Sequence, residues 1–180
     1  MKGLIPFGAL VISGPGAITQ ALSTALAQMT AWASAGGANG PASTYDDGNP
    51  DVKPDYANSR VLVQAPGVYE VTVNLSGITD GTQDITLAIA KNGTALTTAQ
   101  NKRSWTVSVK NQHVLTALVA ITAADNPGTI TTKPDPATTG FAGAGGFPKM
   151  MVPLTVQLAS GASTPTLTFE NCQFIVKRVG

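Results

Sequence analysis

The sequence predicts a mainly β protein, an antiparallel sandwich behind a short N-terminal arm and helix. Three observations predict it. Residues Pro66 to Gly77, "PGVYEVTVNLSG", alternate apolar and polar residues, with Tyr69, Val71, Val73 and Leu75 on one side and Glu70, Thr72 and Asn74 on the other. Successive side chains of a strand leave opposite faces, so this period marks a strand with one buried face. From Val61 to the end, seven or eight short apolar runs of this kind follow one another with no helical stretch between them, the signature of a sandwich. Finally, "DITLAIAKNGTALTT" places Asn92-Gly93 between alternating segments, which reads as a hairpin with a tight primed turn.

The elements divide the chain into three parts. Residues 1–40 carry an apolar arm, "LIPFGALVIS", a breaker at Gly14 to Gly16, and the run "AITQALSTALAQMTAWASA". In that run Ile18, Leu22, Ala25, Met29 and Trp32 recur at spacings of four and three, which predicts an amphipathic helix with a short coiled-coil seam. An equally good reading lays the helix on its own domain. "GGANGPAS" ends it. Residues 41–59 are a polar, proline-containing linker. Its Asp47, Asn49 and Asp51 match the opening of a calcium loop, but Val52 stands where glycine is needed and Asn58 where a bidentate glutamate is needed. No metal is expected there.

Residues 60–180 hold the strands. After "RVLVQA", "GVYEVTVNLSG" and the hairpin come "SWTVSVK", alternating at Trp105, Val107 and Val109, and "HVLTALVAITA", which reads as buried on both faces. The stretch from Asp125 to Met150 is a long loop, of a length that is usually functional or reaches a partner. Near the end the phase changes. Leu167 and Phe169 lie on odd positions, and Cys172, Phe174 and Val176 on even ones, so a turn or bulge is expected at Glu170-Asn171.

Composition excludes several functions. Charged residues make up 12% of the chain, about half the usual share, while hydrophobic residues make up 43%. Such a surface is weakly hydrated, and partner chains are expected to cover much of it. The 11 basic and 10 acidic residues are scattered, and only Lys102-Arg103 and Lys177-Arg178 cluster, so no nucleic-acid stripe is present. The N-terminus loosely resembles a signal peptide, but Pro6 and Gly8 interrupt its apolar run. No segment reaches the ~18 uninterrupted apolar residues of a membrane-spanning helix. The single cysteine, Cys172, lies in an apolar strand pattern, and the single histidine, His113, has no nucleophile motif to serve. "GFAGAGGF", Gly140 to Phe147, lacks the Lys-Ser/Thr of a phosphate loop. The chain reads as no enzyme, with no catalytic residues, cofactor or metal.

The order of the strands carries a resemblance. "PGVYEVTVNLSG" resembles the strand that opens the core of jelly rolls of the complement and tumour-necrosis-factor superfamily. "ITLAIAKNGTAL" is similar to the hairpin of that family, and "LTVQLASGASTPTLTFENCQFIVKRV" to its closing strands, except that Ala162 follows Gly161 where the family carries an acidic residue. The resemblance covers about Arg60 to Gly180 and implies an antiparallel jelly-roll sandwich that forms homotrimers. It also implies a structural virion protein. The same knob recurs in bacteriophage head decoration (cement) proteins, head fibres and tail-fibre tips.

On that reading the partners are the chain itself and the major capsid protein, with no nucleic acid and no membrane. The location is the virion after synthesis in the host cytoplasm. The trimer interface is expected at Ile18, Leu22, Met29, Trp32, Phe174 and Ile175, and capsid docking at Leu4, Ile5, Phe7, Leu10, Val11 and Ile12 of the arm. The alternative is a receptor- or carbohydrate-binding tip of a tail fibre.

Overall fold

The computed structural model describes residues 5–13, 18–32, 42–46, 51–127 and 151–180. Thirteen strands are named among them: β1 Phe7–Ile12, β2 Ile18–Ala21, β3 Ala27–Gln28, β4 Ala42–Asp46, β5 Val52–Asp55, β6 Arg60–Val63, β7 Gly67–Thr79, β8 Gln83–Lys91, β9 Thr94–Trp105, β10 Asn111–Ile121, β11 Val152–Ser160, β12 Thr166–Phe169 and β13 Cys172–Arg178. They form two antiparallel sheets packed as a jelly-roll sandwich.

Sheet 1 has β7 at its centre. One edge of β7 pairs with β10 along Gly67 to Gly77. The other edge pairs first with β13 and then, past the break at Glu170-Asn171, with β12. Outward from β13 lie β1 and β4, and outward from β12 lies β2. Sheet 2 runs β5, β6, β11, β8, β9, with β3 taking over beside β11 beyond the end of β6.

The alternation along β7 meets its expectation. Tyr69, Val71, Val73 and Leu75 are fully buried between the sheets, with Phe174 and Val176 of β13 beside them. Ile85, Leu87 and Ile89 of β8 and Leu154, Val156 and Leu158 of β11 face them from sheet 2. Each such side chain contributes about 1.5–3 kcal/mol on burial. The hairpin turn also forms as expected, with φ of 52° at Asn92 and 78° at Gly93 closing Lys91 against Thr94. The phase change near the C-terminus is the gap between β12 and β13, where Glu170 N donates to Ser76 O at 2.9 Å.

Four expectations are corrected. The helix over the second run is replaced by β2 and β3, and only Ala31 and Trp32 are helical among residues 18–32. The segment is a strap between the sheets: β2 pairs with β12 in sheet 1 and β3 with β11 in sheet 2. The Gln20 side chain closes it, its Oε1 accepting from Thr30 N at 2.8 Å and Ala31 N at 3.2 Å while its Nε2 donates to Gln28 O at 3.1 Å. An isolated helix of this length is marginal in water, so sheet pairing overrides its periodicity.

The arm is not free either. β1 lies between β13 and β4 with Leu10 and Ile12 in the core, so the described part of the arm shares one interior with the strands from β6 to β13 and is not set apart from them at residue 40. The alternation at Val107 and Val109 belongs to a turn rather than a strand, because the Asn111 side chain bonds Thr106 N, Thr106 O and Val109 O. Finally, β10 is buried on one face only: His113, Leu115, Val119 and Ile121 are inside, whereas Val114 and Leu118 are exposed. Of the calcium-like stretch, residues 47–50 lie outside the described residues, as does most of the Asp125 to Met150 loop, while Val52–Asp55 form β5.

Candidate functional site

The outer face of sheet 1 can be read row by row from the strand register. Leu118, Glu70, Lys177 and Phe7 make one row across β10, β7, β13 and β1. Thr116, Thr72, Ile175 and Ala9 make the next, and Val114, Asn74, Gln173 and Val11 the third. Val68 opposite Ala120 extends it beyond the first. Apolar and hydroxyl side chains dominate, and charge is confined to Glu70 and Lys177. Leu118 is 68% exposed and Val114 50%, with Val68 and Phe7 each at 37%. An antiparallel sheet facing water carries polar residues on that face. Exposed apolar side chains of this size, set among polar ones on a single face, make this face the candidate association surface. Thr72 and Thr116 hydroxyls meet at 3.2 Å, and Asn101 Nδ2 of β9 donates to Val114 O at 2.9 Å, tying the edge of one sheet to the other.

The residues expected at a trimer interface fall on both sides of this sheet. Ile18, Leu22, Met29, Trp32 and Phe174 are buried in the chain's own core, and the Trp32 and Phe174 rings lie 6.5 Å apart. A side chain already enclosed in one chain has no area left to offer another, so these five are corrected from interface to core. Ile175 alone lies on the outer face, where it is half-buried. Among the arm residues expected to dock on a capsid, Leu10 and Ile12 are also core, Val11 is half-buried, Ile5 and Phe7 are exposed, and Leu4 lies outside the described residues. Val68, Val114 and Leu118 were missed because exposed apolar residues in a strand carry the same sequence signal as buried ones.

The titratable groups are held for structure. His113 Nε2 lies 2.7 Å from Asn101 Oδ1, its Nδ1 is buried without a partner, and burial pushes the imidazole down to about 4, with Arg103 adding to the effect. Burial pushes the Cys172 thiol up to about 11, and its Sγ lies 3.4 Å from Ser76 O. A thiol in that state is protonated and a poor nucleophile. Arg178 bonds Asp51 at 2.7 Å and Pro66 O at 2.9 Å, pinning the end of β13 over the start of β7. The ammonium of Lys91, 2.6 Å from Asp125, holds that carboxyl below its usual range, and hydrogen bonds from Thr122 act in the same sense. No group of three or more metal-ligating side chains occurs among the described residues.

No protein-family model matches the sequence, and no curated protein matches it. Solved structures are similar in fold. The Eiger TNF of S. frugiperda shares 12% identity at a TM-score of 0.52, over 97% of this chain and 94% of that one. The PRD1 vertex protein P5 shares 10% identity at a TM-score of 0.54, over 99% of each chain. At these identities the likeness speaks for a shared jelly-roll fold.

Proposed function

We propose that the protein is a structural component of a bacteriophage virion, a capsid decoration or head-fibre protein that acts as a homotrimer and binds the major capsid protein. The observation that carries this reading is the outer face of sheet 1, where Leu118, Val114, Val68 and Ile175 lie on three adjoining strands, β10, β7 and β13, with little charge. The single occupant this face suits is another copy of the same chain. Its chemistry is small, apolar and hydroxylated, and a closed ring of copies buries every such face at once. The jelly roll shared with a vertex protein, PRD1 P5, supports placement on a particle. The exposed Ile5 and Phe7, at the start of β1, are arm candidates for contact with the capsid.

Sedimentation equilibrium at micromolar concentration tests the assembly, with an expected mass three times the 18.3 kDa of the chain. A clean monomer overturns the trimer. Mixing the purified protein with particles that lack it tests the location. Stable co-sedimentation is expected, and its absence overturns the virion role.

A further inference from the structure

On the other side of the sandwich, sheet 2 has a recess of about 320 Å³ where β6 gives way to β3 along β11. Its walls come from four separated stretches: Gln28 and Thr30 of the strap, Asn58 and Arg60 around the β5–β6 turn, Gly93 of the hairpin turn, and Thr155 of β11. Thr155 alternates with the inward Leu154 and Val156, so it faces away from the core.

The recess is polar and firmly built. Arg60 is 8% exposed and Thr155 4%. Arg60 Nε donates to Asp55 Oδ2 at 2.8 Å, and Asn58 Nδ2 bonds both oxygens of the same carboxylate at 3.0 Å. The charge of Arg60 is therefore already balanced. Gln28 Nε2 donates to the carbonyls of Asn58 and Ser59 at 2.8 and 3.2 Å, which fixes the amide and leaves Oε1 as its acceptor end. Thr155 Oγ1 is buried with no hydrogen-bond partner. A hydroxyl in that position costs stability unless something supplies a partner.

We infer that this recess binds a neutral, polyhydroxylated ligand of monosaccharide size. Balanced charge disfavours anions and cations alike. The Gln28 Oε1 accepts, and the hydroxyls of Thr30 and Thr155 donate or accept, a combination that a polyol matches, while Ala57 and Pro153 add apolar wall. The volume sits at the lower end of small-molecule sites, roughly 300–1,000 Å³. No aromatic ring is among the lining residues, so affinity is weak, about 1 mM. The site faces away from sheet 1 and stays open whether or not copies associate there. In a trimer, three such sites linked in one body bind a polyvalent glycan more tightly than one. The inference rests on the recess alone and does not require the assembly proposed above.

The test is an NMR titration of the full chain with glucose, galactose, mannose, N-acetylglucosamine and inorganic sulfate, each added separately to about 10 mM. One or more sugars are expected to shift the amide resonances of Asn58, Gly93 and Thr155, and sulfate is expected to shift none. Thr155→Val keeps the side-chain shape and removes the unpartnered hydroxyl. It is expected to melt no lower than the parent and to weaken the sugar about tenfold. Should that variant fail to fold, Thr30→Val at the rim gives the same readout. Silence with every sugar overturns the inference, as does binding of sulfate instead. Unchanged sugar binding in a folded variant places the ligand elsewhere and overturns it too.

Discussion

The two outer faces of the sandwich differ in what they offer to water. On sheet 1, Leu118, Val114 and Val68 stand exposed, and a single pair of opposite charges, Glu70 and Lys177, borders them. On sheet 2 the outward positions of β8 and β9 that reach water include Asp84, Thr86, Gln100, Lys102 and Ser104. Lys102 reaches Asp84 at 2.9 Å and holds that carboxyl below its usual range. Both sheets bury their inner faces equally well. The difference therefore has nothing to do with folding the single chain. It leaves charged and polar side chains on sheet 2 and exposed apolar ones on sheet 1, the face proposed above for association.

The sharpest way to break this comparison is to put charge on one face and then on the other. Leu118→Lys combined with Val114→Lys is expected to abolish association, leaving a folded chain of 18.3 kDa in sedimentation. Thr86→Lys, on the opposite face, is expected to leave the mass of the assembly unchanged. If both changes act alike, or neither acts, the two faces are equivalent and the distinction fails.

A smaller effect lies between the faces. His113 is buried neutral with its folded value near 4, against 6.5 for an exposed imidazole. As pH falls below 6.5 the unfolded chain takes up a proton that the folded chain refuses. Stability is therefore complete above pH 6.5 and declines toward pH 4, by at most about 1.4 kcal/mol per pH unit. Denaturant melts at pH 7 and pH 4.5 measure it, and His113→Leu is expected to flatten the slope. An equal slope in the variant assigns the acid sensitivity to other groups.

The smallest expected effect belongs to the hairpin of sheet 2. Gly93 has φ of 78°, and a Cβ there would meet nothing within 4 Å, so a side chain is opposed by backbone conformation alone. Gly93→Val is expected to cost roughly 1–3 kcal/mol in a thermal or urea melt without altering the mass of the assembly. A melt identical to the parent would contradict the strained turn.

Local signals were legible in the sequence, and distant ones were not. The alternation of β7, the Asn92-Gly93 turn and the break between Phe169 and Cys172 each depend on a few adjacent residues, and each forms as expected. The strap over residues 18–32 was misread because Ile18, Leu22, Met29 and Trp32 fit a helical period equally well. What decides its structure is remote: Leu22 N bonds Pro165 O, and Met29 N bonds Val156 O, each at 2.8 Å. The exposed sheet face was hidden for a different reason. Apolar residues at Val114 and Leu118 look the same whether their own chain or another covers them. The recess had no signature at all, since its walls are drawn from stretches as far apart as Gln28 and Thr155.

The pairing of β1 with β13 sets Phe7 opposite Lys177 and Ile12 opposite Cys172. This has a consequence for the order of events during synthesis. Of the described strands, the first to be made can pair early with β4 on one edge but has to wait for the last on the other. Closing so long a loop is entropically costly, and folds dominated by distant pairings form slowly. Until β13 emerges, Leu10 and Ile12 have no core to enter, and the nascent chain carries an apolar strand with an unpaired edge. Completion of sheet 1 thus waits for β13. The outer face of sheet 1 is incomplete before that moment.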